Sequence, residues 1–348
     1  MLQDRIEAKW IDAFEQVFRL SKINEGDEVA ILSETQSRQL NVHLAELALF
    51  RLGARPFHLC IPTPRQTAPV PVRSTGTSQA IQNIRPVIAA LTSTPVVVDC
   101  TLEGLMHAPE LPEILKSGAR VLNVSNEHPD ALERLLPTEA LKGQVLTAAR
   151  MARKAKQMRV TSAAGTALDV VMEGASTVGI WGYTDKPGTL AHWPGGLVVS
   201  FPKSKSINGT LVLDVGDINL TFKRYLQSAV TLTIEDDYVT NIQGQGTDYE
   251  LMNRYLAAWD DLTAYAVSHV GWGMNPQARY EALSMYDQAH INGTELRAFA
   301  GNFLFSTGAN EFAGRYTEGH FDIPVRGCDI EIDGVLVVKE GTLQDVFG

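Results

Sequence analysis

Cysteine and positive charge are both in short supply in this chain. The three cysteines, Cys60, Cys100 and Cys328, are an odd number with no Cys-x-x-Cys pair, which argues against a thiolate zinc site or a disulfide framework. Thirty Lys and Arg stand against forty Asp and Glu, a formal net charge of −10 that disfavours nucleic acid or an anionic membrane surface as the main partner. No apolar run reaches the roughly 18 residues of a membrane span, and Met1-Leu2-Gln3-Asp4-Arg5 opens an amphipathic helix rather than a signal peptide. The expectation is a soluble, cytoplasmic protein. Gly-x-Gly-x-x-Gly and phosphate-cradling P-loops are absent too, as are internal repeats and low-complexity tracts.

What remains is an ordinary globular composition, 45% hydrophobic and 20% charged. At 348 residues the chain exceeds one typical hydrophobic core, so two domains are expected, 1–155 and 156–348. Ile6, Trp10, Phe14 and Phe18 fall four apart, the spacing of one helical stripe. Val29 to Leu32, Pro56 to Cys60, Pro95 to Cys100 and Ala119 to Val124 read as short buried strands, and Ser37 to Leu52 as a helix stopped by Gly53. Strands alternating with helices imply βαβ units and a Rossmann-like parallel sheet. Pro62, Pro64, Pro69, Pro71 and Gly76 mark a loop between Ile61 and Ser78. Pro137 to Lys156 is a basic helical connector, readable as a nucleic-acid patch or as a solvated helix face, and the acidic balance favours the second.

Beyond this connector the signal changes to strands and turns, an α+β, mainly antiparallel domain. Leu197 to Phe201 and Gly209 to Val215 are dense in β-branched and apolar residues, with Ile207-Asn208-Gly209 as turn chemistry. Thr231 to Ile234 and Tyr238 to Ile242 read as a hairpin, and Thr247 to Trp259 as a helix. Cys328 to Ile332 and Val335 to Val338 flank Asp333-Gly334, a strong two-residue hairpin signal.

Near the C-terminus, His320-Phe321-Asp322-Ile323-Pro324 reads as the start of a strand. The pleat places Phe321 and Ile323 on one face and His320 and Asp322 on the other, where an imidazole and a carboxylate could bind a divalent metal. His-x-Asp alone is equally compatible with a purely structural strand. His269, in a strand running into a turn with Gly271 and Gly273, is by itself a satisfied core histidine or a ligand. With His320 and Asp322 it makes two histidines and one carboxylate, the facial set of mononuclear non-haem iron(II) oxygenases. His107 lies just past the Val96 to Val98 strand, at the sheet end where open α/β sheets bind ligands; solvent capping of a helix start is its bland alternative. His192, beside Trp193-Pro194 in a turn, suits either a substrate-facing position or a surface turn.

The segments Ser268 to Gly273, Gly301 to Gly308 and His320 to Pro324, with His192-Trp193-Pro194 and Gly209 to Ile218, resemble the 2,5-dihydroxypyridine 5,6-dioxygenase family. The likeness is strong over roughly residues 160–335 and weaker in the N-terminal half, where His107 matches a strand-end histidine. It implies an extradiol-type, iron(II)-dependent enzyme that opens a hydroxypyridine ring with O2 to N-formylmaleamate, and a homo-oligomer. It implies Fe(II) held by His269, His320 and Asp322, with His107 and His192 serving proton transfer or hydrogen bonding to substrate or dioxygen. Trp193, Trp272 and Phe305 are candidates to wall an aromatic pocket. The family is similar in fold to thermophilic-type leucyl aminopeptidases, which makes a metal-dependent aminopeptidase-like hydrolase the alternative. Those enzymes use two metals and further glutamates. By this resemblance Gly301 to Gly308 offers neither histidine nor carboxylate, His269 takes the place of one glutamate, and Glu250 near another does not rebuild such a site.

Overall fold

The structure, a computed structural model, describes residues 5–65 and 79–347. Five parallel strands run in the spatial order β2 (Arg55–Ile61), β1 (Glu28–Glu34), β3 (Val96–Asp99), β4 (Arg120–Val124) and β8 (Leu190–Trp193). Helices cover both faces, so β3 is buried throughout, and its Val96 to Val98 read as an apolar run rather than an alternation. On one face α1 (Ala8–Leu20) and α2 (Gln39–Arg51) pack Trp10, Phe14, Phe18 and Leu44 against Val29, Ile31, Val96 and Val98. On the other, α3 (Arg85–Ser93) and α4 (Leu111–Lys116) pack Ile88, Leu91 and Ile114 against Ala30, Leu32, Val97 and Val121. Each such side chain stabilises the fold by about 1.5–3 kcal/mol relative to exposure. The chain places β2 on one side of β1 and β3 on the other, so the order reverses beside the C-terminal end of β3. There α5 (Pro129–Arg134) follows β4 and rests on α1.

After α6 (Glu139–Lys154) the pairing becomes antiparallel. One sheet has the order β14 (Tyr238–Gly244), β13 (Val230–Glu235), β10 (Ile207–Leu213), β6 (Ala167–Val171), β5 (Gln157–Ser162), β18 (Cys328–Ile332), β19 (Val335–Lys339), β20 (Thr342–Leu343). A second has the order β17 (Arg315–Val325), β16 (Phe303–Asn310), β15 (Val267–Gly273), β9 (Leu197–Phe201), β7 (Ser176–Ile180). The two share one core, in which Val270, Trp272, Phe303, Phe305, Phe321 and Ile323 of the second meet Val160, Leu168, Leu211, Leu232 and Ile330 of the first. The helix α7 (Gly246–Ala258) closes this core with Met252 and Tyr255. Smaller elements complete the chain: β11 (Ile218–Asn219) pairs β12 (Arg224–Tyr225), and α8 (Ala282–Met285) precedes α9 (Thr294–Ala298). No helix among the described residues is long and apolar enough to cross a membrane.

The α/β class with a parallel sheet followed by antiparallel sheets is as expected, and several local readings differ. His192 lies in β8, not in a turn: its strand pairs with β4 and completes the parallel sheet, although it follows the boundary expected at 155. Ile207-Asn208-Gly209 opens β10, the reversal falling earlier, at Lys205 with φ 63°. Gly271 and Gly273 are strand residues rather than turn residues. A Cβ at Gly271 would stand 2.0 Å from the Val198 carbonyl oxygen, and one at Gly273 2.1 Å from that of Phe299, so close backbone approach is what these glycines serve. His320 and Asp322 are mid-strand in β17. Asp333-Gly334 turns as read, with φ of 48° and 81°. Most of the proline-rich loop expected between Ile61 and Ser78, and Met1 to Asp4, lie outside the described residues.

Candidate metal centre

One face of the β17-β16-β15-β9-β7 sheet builds the hydrophobic core, and the other forms the floor of a pocket. In register, His269 of β15, Ser306 of β16 and Asp322 of β17 stand in one row across three strands. The small serine in the middle lets the two longer side chains lean together over it. His320, two residues from Asp322, shares its face and pairs with Gly308, which offers no side chain to obstruct. His269 reaches this face through a bulge: Val267 pairs with Thr307, yet His269 pairs with Ser306, which leaves Ser268 as the extra residue.

His269, His320 and Asp322 are all buried, and one ligating atom from each lies within 4.8 Å of the others. Asp322 Oδ1 is 3.2 Å from His320 Nε2 and 3.6 Å from His269 Nε2. The other carboxylate oxygen, Oδ2, accepts a hydrogen bond from Arg297 Nε at 2.5 Å. Burial opposes ionisation of Asp322, but the charge of Arg297 and the neighbouring imidazoles outweigh it and hold the carboxyl well below its usual range. Burial, against the pull of Asp322, pushes His269 down to about 3, so this imidazole is neutral at pH 7. Asp322 Oδ1 and His269 Nδ1 are buried without a hydrogen-bond partner. An orphaned carboxylate oxygen between two imidazoles is what a bound cation would satisfy. Two nitrogens and one oxygen suit a borderline divalent ion such as iron(II).

The opposite wall comes from the parallel sheet. His107 lies in the loop after β3, and Asp99 shapes that loop: its Oδ1 accepts from Thr101 N at 3.0 Å and Thr101 Oγ1 at 2.7 Å, its Oδ2 from Leu105 N at 2.8 Å. Asn123 on β4 donates to Asp99 Oδ2 at 3.1 Å, and Gly104, at φ 75°, passes so near Asn123 that a Cβ would lie 2.8 Å from its Nδ2. So held, the His107 ring stands 5.6 Å from that of His320. His192, opposite Asn123 in register, is half-buried with its Nε2 shielded from solvent and without a partner. Burial, then the charges of Arg297 and His107, push it down to about 3. All five sequence-selected residues therefore line one pocket, with Leu197, Val199, Phe201 and Leu304 as its apolar side and Ser125, Asn292 and Thr294 as further polar groups.

The sequence pattern of the 2,5-dihydroxypyridine 5,6-dioxygenase (NicX) family matches residues 9–345. A 2,5-dihydroxypyridine 5,6-dioxygenase from Pseudomonas putida KT2440 is 38% identical over 339 residues, covering 96% of this chain and 95% of the relative. This chain belongs to that family. The solved structure of 2,5-dihydroxypyridine dioxygenase from Pseudomonas putida KT2440 superposes with a TM-score of 0.91 at 36% identity, over 98% of this chain and 99% of that one. AmpT from Thermus thermophilus superposes with a TM-score of 0.65 at 14% identity, over 96% of this chain and 98% of that one, a likeness of fold alone.

Relative to the family resemblance, the structure reassigns the aromatic wall. Trp193 packs on Phe14 with ring centroids 4.9 Å apart, and Trp272 and Phe305 lie in the sheet-on-sheet core. Phe201 takes their place in the pocket, edge-on to His269 at 5.3 Å. Glu250 is far from a ligand role, on an exposed part of α7 beside Arg254. Arg297 is the functional neighbour that sequence reasoning missed. Its one signal is a lone basic residue in the otherwise uncharged stretch Leu296 to Gly308.

Proposed function

We propose that this chain is an iron(II)-dependent, extradiol-type dioxygenase that opens 2,5-dihydroxypyridine between carbons 5 and 6 to N-formylmaleamate. Membership of the family supports the substrate and the reaction. The observation that carries the metal is the convergence of His269, His320 and Asp322 around an unsatisfied carboxylate oxygen. These three residues would hold the iron. The chemistry it supplies when bound is activation of dioxygen toward an electron-rich ring.

The protein's own groups do the rest. Arg297 keeps Asp322 ionised and fixes which oxygen faces the imidazoles. Leu197, Val199, Phe201 and Leu304 exclude water and stack against a flat ring. His107 accepts the proton of the substrate 5-hydroxyl, which leaves the ring anionic and electron-rich. His192, neutral at pH 7 with Nε2 unpartnered, offers that nitrogen to a polar substituent of the substrate.

The alternative, an aminopeptidase-like hydrolase, is not favoured: one three-residue cluster among the described residues is no two-metal site. Anaerobic loading with iron(II), followed by oxygen uptake with 2,5-dihydroxypyridine and parallel assays on small peptides, decides. Oxygen uptake matched by loss of the pyridine is the expected outcome; peptide cleavage without oxygen uptake would reject the proposal.

A further inference from the structure

Glu311 stands on the short 3₁₀ turn Glu311–Ala313 that joins β16 to β17. The turn is pinned at both ends. Asn310 accepts from Ala313 N at 3.1 Å and donates to Pro202 O at 2.9 Å, and Gly314 closes it at φ 71°. This places Glu311 Oε1 3.5 Å from Nδ1 of His107, across the gap between the antiparallel sheet and the loop after β3. The His107 side chain is 7% exposed and that of Glu311 39%, so a nearly buried imidazole turns one edge toward a partly exposed carboxylate. Its ring faces His320 at 5.6 Å between centroids.

An imidazole that donates from Nδ1 keeps its lone pair on Nε2, and the residue that takes the Nδ1 proton in a hydrogen bond decides which nitrogen can act as base. A carboxylate in that position also stabilises the imidazolium formed once Nε2 has taken a proton. We propose that Glu311 is the positioning residue of His107: its carboxylate accepts the Nδ1–H and fixes the tautomer that presents Nε2 to the substrate hydroxyl. The proposal rests on the reading of His107 as the base. In that step the substrate O–H bond breaks, its proton goes to Nε2, and Nδ1 keeps its own proton against Glu311. The positive charge generated on the ring thus lies beside a negative one.

The test uses the full chain loaded with zinc, labelled with ¹⁵N-histidine, as wild type, H107Q, E311A and E311Q, and the same variants loaded with iron for turnover. The resonances that H107Q removes identify His107. Expected in the wild type is the Nδ1–H tautomer, retained in E311Q, whose amide oxygen still accepts, and shifted toward Nε2–H in E311A. The kcat of E311A should fall by roughly 10–100-fold, as when a group that orients a functional imidazole is removed. KM and iron content should stay near wild type, with E311Q between the two. An unchanged tautomer or an unchanged kcat in E311A overturns the proposal, as does a loss of iron or a rise in KM that accounts for the whole effect. If H107Q itself turns over normally, the reading of His107 as base fails instead. If H107Q is crippled while E311A keeps tautomer and rate, only the role of Glu311 fails.

Discussion

At the scale of single residues, the three ligand candidates are not equivalent. His269→Ala and His320→Ala each remove one donor and leave the rest of the site packed. Asp322→Ala also takes away the carboxylate oxygen that accepts from Arg297 Nε at 2.5 Å. Asp322→Asn is therefore the better variant, since its amide oxygen can still accept from Arg297. All three variants are expected to stay folded, to lose iron and to lose turnover by more than the roughly 10–100-fold typical of second-sphere changes; iron content and oxygen uptake measure both. Full occupancy and turnover in two of them would remove the triad from consideration. His192 sets a pH dependence. Its folded pKa of about 3 lies below its ordinary value, so below about pH 6.5 the unfolded chain takes up a proton that the folded chain refuses. The stability from this group is complete above about pH 6.5 and is lost as pH falls from there toward 3. His192→Gln should flatten the acid slope by up to about 1.4 kcal/mol per pH unit, less where water reaches the ring. Urea titrations of metal-free protein at pH 7.5, 6 and 5 read the difference.

At the scale of elements, α9 is too short to hold itself, and Glu127 holds it. The buried Glu127 carboxylate accepts from Asn292 N at 2.8 Å, Gly293 N at 2.7 Å and Thr294 N at 2.9 Å, so residues after β4 fix the start of the helix that carries Arg297. Arg134 clamps the same helix from the other side through Glu295, with Nη1 2.6 Å from Oε1. With the longer bond from Glu295 N at 3.5 Å, Glu127→Ala takes the acceptor from four backbone donors and should destabilise the protein by about 3 kcal/mol. Because Arg297 then loses its anchor, iron affinity should fall as well, which a metal titration of the folded variant would show. Unchanged affinity would mean that Asp322 does not need α9. The β15 strand is just as constrained. Gly271→Ala drives a methyl into the Val198 carbonyl of β9 and should cost about 1–3 kcal/mol by denaturant unfolding, with the pairing of β15 and β9 disturbed.

At the scale of the whole molecule, the site exists only because two sheets face each other. The antiparallel sheet brings His269, His320 and Asp322, and the parallel sheet brings His107 and His192. His107→Ala should keep its iron and lose about 10²–10⁴-fold in kcat, the usual contribution of a general base. Higher pH should restore part of the loss, because more substrate is then ionised in solution. Wild-type turnover, or lost stability with no recovery at high pH, would take His107 out of the reaction. One iron per chain is expected by metal analysis; two, together with peptide hydrolysis, would move the protein to the hydrolase reading.

Local periodicity made much of this legible before any fold was known. The helical stripe of α1, the apolar runs of β1 and β3 and the Asp333-Gly334 hairpin each depend on neighbours a few residues away. The alternation at His320 to Ile323 likewise separated a polar face from an apolar one, because side chains in a strand alternate whatever the strand pairs with. Which face meets the core and which partner stands opposite are questions of long-range pairing. The bulge at Ser268 that turns His269 toward Asp322, and the crossing of β8 into the parallel sheet, come from register between segments distant in sequence. So do the contacts of Arg297 with Asp322 and of Glu311 with His107, and the withdrawal of Trp193, Trp272 and Phe305 into the core. Residue types and short-range spacing supplied the donors. Their convergence was decided by which strands pair and by the single residue that a bulge adds, and no local pattern carries either.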